Sequence, residues 1–199
     1  QKVLQNCRMR VTAVLLSMCC CVPAWGAHAY AQFGDVKYPA GFTHFSYVNP
    51  DAPKGGEIRL VPPTRPTNFD KFNPFTLKGT APFGIAGLLM EALLVGNMEE
   101  PTTAYGLLAE DVAVAPDKLS VTFKLHPSAR FHDGTPVLAA DVAHSFNTLV
   151  GKLAAPQYRS IFAEVKGVVV LGERTVRFDF ANPNPELPLV VGTGLPVFS

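Results

Sequence analysis

Beyond residue 21 this sequence contains no cysteine. Its four cysteines are Cys7, Cys19, Cys20 and Cys21. Residues 22–199 therefore have no disulfide framework, no thiolate nucleophile and no cysteine metal ligand. An excess of charge of one sign is also missing. The 17 basic and 16 acidic side chains leave a formal net charge of +1, which gives no electrostatic case for nucleic acid or an anionic membrane. Basic residues are not grouped with aromatics, which excludes a stacking groove for single strands. Three chemical motifs are absent as well: the G-x-S-x-G elbow, the H-E-x-x-H zinc helix and the G-x-x-x-x-G-K-[ST] phosphate loop. The five histidines, at 28, 44, 126, 132 and 144, form no ligand set. No catalytic residue, metal or cofactor is predicted. What is present is a globular composition, 48% hydrophobic and 17% charged, sufficient for one or two domains with a core. The 18 prolines and 16 glycines predict many loops.

Charge is scarce at the start. Lys2, Arg8 and Arg10 are the only charged residues before Asp35. They precede an uncharged run, VTAVLLSMCCCV over residues 11–22, then Pro23 and the small-residue segment Ala27-His28-Ala29-Tyr30-Ala31. This order predicts a secretory signal peptide over residues 1–31, cleaved after Ala29 or Ala31, and hence a periplasmic protein. The run is short of the ~20 residues that cross a bilayer. Leu16-Ser17-Met18-Cys19 approaches a lipobox, but Met18 is bulky where a small residue belongs, so no lipid anchor is predicted. The first residue is Gln1, and Met9 is a candidate start.

The most patterned stretch is residues 107–149. Val112 and Val114, then Val121, Phe123 and Leu125, alternate as half-buried strands do, around a turn at Ala115-Pro116-Asp117-Lys118. Phe131-His132-Asp133-Gly134-Thr135-Pro136 makes a second turn. A helix opens at Ala139-Ala140-Asp141-Val142, with Val142, Phe146, Leu149 and Val150 on one face. Elsewhere, residues 57–61 read as a strand and residues 84–95 as an apolar helix. Residues 96–105 read as a connection and residues 155–162 as a short helix. Residues 165–170 and 175–180 form a hairpin around Leu171-Gly172-Glu173-Arg174. The aromatics Tyr38, Phe42, Phe45 and Tyr47 read as a segment that packs by burial. His132 beside Asp133 is the most catalytic-looking pair, but a capped turn accounts for it better than general-base chemistry.

Residue for residue, Leu108-Ala109-Glu110, Thr122-Phe123-Lys124-Leu125, Phe131-His132-Asp133-Gly134-Thr135-Pro136 and Ala139-Ala140-Asp141-Val142 with Ser145-Phe146 resemble the signature of the family 5 extracellular solute-binding proteins. The segment from Lys37-Tyr38-Pro39 through Asn49-Pro50-Asp51-Ala52-Pro53-Lys54-Gly55-Gly56 resembles the YejA-type branch of that family. Val112, His126 and Ser46 depart from the pattern, as does Leu138, which replaces a helix-capping Thr.

The resemblance implies a mixed α/β fold of the type II periplasmic-binding-protein kind, present only in part. Residues 32–95 would be the first segment of a discontinuous domain I and residues 96–195 a small inserted domain II. Residues 196–199 would begin the return. It implies an exported receptor, expected to be monomeric, that captures oligopeptides or peptide-like solutes for an inner-membrane ABC permease and its ATPase. By the same resemblance Lys78, Gly79, Thr80 and Tyr158 fall at ligand-contacting positions. A hydrolase using His132 and Asp133, and a truncated receptor without function, are the rival readings.

Overall fold

The structure is a computed structural model that describes residues 26–59, 61 and 69–199. Two antiparallel sheets and a set of short helices share one main core. The first sheet has three strands, β1 (Ala29–Ala31), β2 (Leu94–Asn97) and β3 (Glu100–Gly106), in the order β1-β3-β2. The second has four, β4 (Ala109–Val114), β5 (Ser120–Leu125), β6 (Val165–Gly172) and β7 (Thr175–Phe180), in the order β4-β5-β7-β6. The chain thus forms a mixed arrangement of helices and antiparallel sheets, as the family resemblance implies.

Alternation built the second sheet. On β5, Val121, Phe123 and Leu125 are fully buried, and on β7 so are Val176 and Phe178, with Phe180 nearly so. Val112 and Phe123 stand opposite each other, as do Phe123 and Val176. Against this face lies α2 (Ala139–Val150), which buries Val142, Phe146 and Leu149. The Phe146 ring meets Phe178 and Phe162 edge-on at 5.5 and 5.7 Å, a favoured aromatic geometry. Leu138 offers no capping oxygen to α2. Instead the Asp141 carboxylate accepts the Leu138 backbone N–H at 2.8 Å, and as the third helical residue it also faces the positive end of the helix dipole. The turn between β6 and β7 holds the same helix end, because Ala139 donates to the Glu173 carbonyl at 2.9 Å. The helix α3 (Pro156–Ile161) follows, with proline at its first position, where no N–H is needed.

Three local expectations are corrected. Residues 84–95 are not one helix: α1 (Ile85–Leu89) has five residues, and Met90 is already extended. Leu93 and Leu94, 0% and 2% exposed, go into the core, and the chain continues as β2 paired with β3. Ile85, Leu88, Leu89, Ala92 and Leu93 do fall at the helical i, i+3, i+4 spacing, but a run this apolar also suits a buried strand, and pairing with β3 decides. Residues 96–105, expected as a connection, accordingly form the β2–β3 hairpin. Of the strand expected over residues 57–61, the described residues 57–59 and 61 are exposed and form no strand, and residue 60 lies outside the described set. Alternation alone does not make a strand, and among the described residues none pairs with this segment.

The last helix, α4 (Leu187–Gly194), packs on the first sheet. Gly192 is needed there, since a Cβ would come within 2.6 Å of the Leu94 side chain. The chain then returns to α2: Ser145, fully buried, donates to the Phe198 carbonyl at 2.9 Å and accepts the Phe198 N–H at 2.8 Å.

Candidate functional site

The three adjacent residues Lys78, Gly79 and Thr80 lie on a loop whose shape is set from inside. Its base is closed by two bonds between Asp70 and Thr80. The Asp70 N–H donates to the Thr80 carbonyl at 3.1 Å, and the Asp70 carboxylate accepts the Thr80 N–H at 2.6 Å. Its interior is filled by the Lys71 ammonium, which donates to the Thr76 carbonyl, the Thr76 hydroxyl and the Lys78 carbonyl at 2.6, 2.9 and 2.7 Å. An ammonium with three oxygen acceptors has its three donors matched. Asn73 accepts the Phe75 N–H at 2.8 Å and makes the local turn. Gly79 has a φ of +86°, and a Cβ there would stand 2.6 Å from the Asp70 carboxylate. Only glycine meets both conditions at no cost. Lys78 and Gly79 are exposed at the loop's outer side.

Tyr158 reaches this loop through Phe75. Phe75 is buried at 6% exposure, stacks on Phe198 at 5.2 Å and meets the Tyr158 ring edge-on at 5.8 Å. Ala155 donates to the Phe75 carbonyl at 2.8 Å, and Thr76 bridges Ala154. The start of α3 is therefore stitched to the loop that carries Lys78. Tyr158 is half-buried, and burial raises its hydroxyl above the usual value of 10.0, so it is neutral at physiological pH. Phe75, Met90, Tyr158, Thr193 and Pro196 line an open cavity of about 240 Å³. Asp70, Lys71 and Phe75 fall in the stretch 68–75, which resembles the family's step after the first strand, but the part each plays in the loop is not legible in the sequence. The local signal is Asn73-Pro74, a turn that brings the residues around it together.

A second concavity of about 290 Å³ is lined by Leu88, Leu89, Glu91, Arg130, Phe131 and His132. Asp133 next to it is engaged in its turn: its carboxylate accepts the Thr135 hydroxyl at 2.7 Å and the Thr135 N–H at 2.9 Å. These bonds, the hydroxyl first, hold its carboxyl below the usual 3.8. Gly134 takes a φ of +87°. The motif spends its acid on backbone geometry.

The aromatic segment packs in part as its composition suggests: Tyr38 is buried and Phe42 and Phe45 are half-buried, but Tyr47 is exposed. Tyr38, buried, meets Phe42, Phe45 and Tyr105 at 5.2, 5.3 and 5.7 Å. Its hydroxyl is held by Glu99 and accepts the Ser46 N–H at 2.9 Å. Ser46 also donates to Glu99 at 2.8 Å, and Lys37 pairs with it at 2.8 Å. Bonds from Lys37, Tyr38 and Ser46, in that order, lower the Glu99 carboxyl from the usual 4.5 to about 2. This cluster fastens the segment to the β2–β3 turn, and the sequence held no sign of Glu99's part in it. His44 bonds only locally, its Nδ1 lying 2.9 Å from the Thr43 hydroxyl. No group of acidic, histidine or cysteine side chains among the described residues is arranged to hold a metal ion.

Residues 103–198 match the family model described as "Bacterial extracellular solute-binding proteins, family 5 Middle". The chain is 40% identical over 160 residues to the "Probable peptide-binding protein YejA" of Agrobacterium fabrum, across 80% of this chain and 25% of that protein. It thus spans about a quarter of the length of this relative. Among solved structures it is similar to NikA from Brucella suis in complex with Fe(III)-EDTA, with a TM-score of 0.55, 22% identity, and 68% of this chain and 27% of that one covered. It is also similar to Haemophilus influenzae OppA in complex with the peptide RPPGFSPFR, with a TM-score of 0.54, 25% identity, and 64% and 28% covered. Strands β4–β7, the Asp133 turn and α2 all lie within the residues that the family model matches. Through residues 103–198, nearly half of its length, the chain carries the pattern of the bacterial extracellular solute-binding proteins of family 5.

Proposed function

We propose that this chain is part of an exported receptor of an ABC importer. The receptor captures an oligopeptide or peptide-like solute in the periplasm and delivers it to an inner-membrane permease powered by a separate ATPase. One observation carries the reading: the family 5 match over residues 103–198, joined to 40% identity with a relative named as peptide-binding. Among the described residues no helix is long and apolar enough to cross a membrane.

In this reading the loop of Lys78, Gly79 and Thr80 meets the ligand. The Lys78 ammonium pairs with a peptide carboxylate, Gly79 lets backbone approach backbone, and Thr80 supports it. Tyr158 supplies a neutral phenol to the same wall. Ligand bridging two lobes shifts an open–closed equilibrium toward the closed form. Isothermal titration of the full-length receptor with oligopeptides of graded length tests the proposal. Binding that weakens in Lys78→Ala and in Tyr158→Phe supports it. Absence of peptide binding by a folded full-length receptor sinks the ligand class, and unchanged binding in both variants sinks the site.

A further inference from the structure

We propose that the leader is cut between Gly26 and Ala27, upstream of both positions that the small-residue pattern of residues 27–31 offers. This rests on the export reading above.

The physical reason is what β1 holds. Ala29, Tyr30 and Ala31 stand opposite Tyr105, Ala104 and Thr103 of β3. Ahead of the strand, Ala27 exchanges two hydrogen bonds with Val112 of β4, at 2.9 and 2.8 Å, so these residues also tie the two sheets together. The His28 carbonyl accepts the Gly106 N–H at 2.8 Å. The His28 Nε2 lies 2.8 Å from the Tyr38 carbonyl, which holds the aromatic segment. The Tyr30 hydroxyl donates to the Pro185 carbonyl at 2.7 Å, close to α4. Ala29 is 6% exposed and packs with Tyr38 and Tyr105. A cut after Ala31 removes all of this and opens the edge of β3. A cut after Ala29 removes everything except Tyr30 and Ala31. Unpaired backbone at a sheet edge is costly when buried and adhesive when exposed.

A cut after Gly26 keeps every one of these contacts, and the sequence supplies the recognition. Ala24-Trp25-Gly26 has a small residue at the third and at the first position before the bond, the pattern a leader peptidase reads. The new end also suits its place. The Ala27 nitrogen, as an ammonium, still donates to the Val112 carbonyl. The Asp111 carboxylate lies beside the cut, since a Cβ on Gly26 would stand 3.3 Å from its Oδ1. Hydrolysis therefore creates a positive charge next to an existing negative one.

The test is pulse-labelled expression of the 1–199 precursor in a Gram-negative host, with mass and N-terminal sequence read on the processed product. A product beginning at Ala27 is expected. A product beginning at Tyr30, Gln32 or any other residue overturns the cut position while leaving export intact. A precursor that is never processed overturns the cut and the export reading together. Two substitutions read the peptidase step without depending on folding, because the precursor is cut unfolded. Ala24→Leu is expected to abolish processing. Ala29→Leu, which spoils both downstream positions at once, is expected to leave its rate unchanged. The reverse pattern overturns the proposal.

Discussion

At the scale of single residues, Gly79 and Glu99 carry the most testable chemistry. With a φ of +86° and the Asp70 carboxylate where a Cβ would be, Gly79→Ala loses on backbone and on space. The left-handed penalty alone is about 1–2 kcal/mol. Thermal unfolding of the variant should show that loss, and peptide titration of the full-length receptor should show weaker binding. Glu99 makes a prediction in pH. Its folded carboxyl sits at about 2 against the usual 4.5. A depressed acid stabilises the fold above the unfolded value, and that contribution disappears as pH falls from 4.5 toward 2. Melting temperature should therefore drop across that window. In Glu99→Gln the drop should be shallower, with the variant already less stable at neutral pH. Equal slopes for the two proteins would mean that the Lys37–Tyr38–Ser46 cluster does not hold the carboxylate. Neither role was legible beforehand: Gly79 entered by resemblance, and Glu99 reads as one of two acids in a loop until Tyr38 arrives from 61 residues away.

At the scale of elements, hairpins and helices followed their patterns where turn residues bounded the period and a neighbouring element was there to pack against. The β4–β5 and β6–β7 hairpins and the α2 and α3 helices lie where alternation, turn residues and apolar spacing put them. The run at residues 84–95 has helical spacing at Ile85, Leu88, Leu89, Ala92 and Leu93, yet it splits into a helix and a strand, because pairing with β3 outweighs that spacing. Leu138 removes the usual cap from α2, and Asp141 takes over by holding the Leu138 N–H. Asp141→Ala should therefore cost about 1 kcal/mol, near the value of a lost N-cap. Chemical denaturation checks this, with an unchanged slope showing that the fold itself is intact. The same series would register a fully neutral result, which would assign the helix start to the Ala139–Glu173 bond instead.

At the scale of the whole molecule, the proposed function is a change of shape. If the receptor closes on its solute, small-angle scattering of the full-length protein should give a smaller radius of gyration when peptide is added. A Lys78→Ala variant should need more peptide for the same change. A radius that stays constant at saturating ligand would separate binding from closure. The sequence by itself determined the β4–β5 and β6–β7 hairpins, the Asp133 turn and the amphipathic face of α2, because each is encoded by local period and turn chemistry, while its motifs carried the family 5 resemblance. Only the tertiary structure decided that residues 94–106 pair as strands, that Lys71 and Asp70 shape the loop of Lys78, Gly79 and Thr80, and that Phe75 couples it to Tyr158. It alone decided that Ala29–Ala31 belongs to a sheet. These depend on partners distant in sequence, and a hydrogen bond or a ring contact between distant residues leaves no local pattern to read.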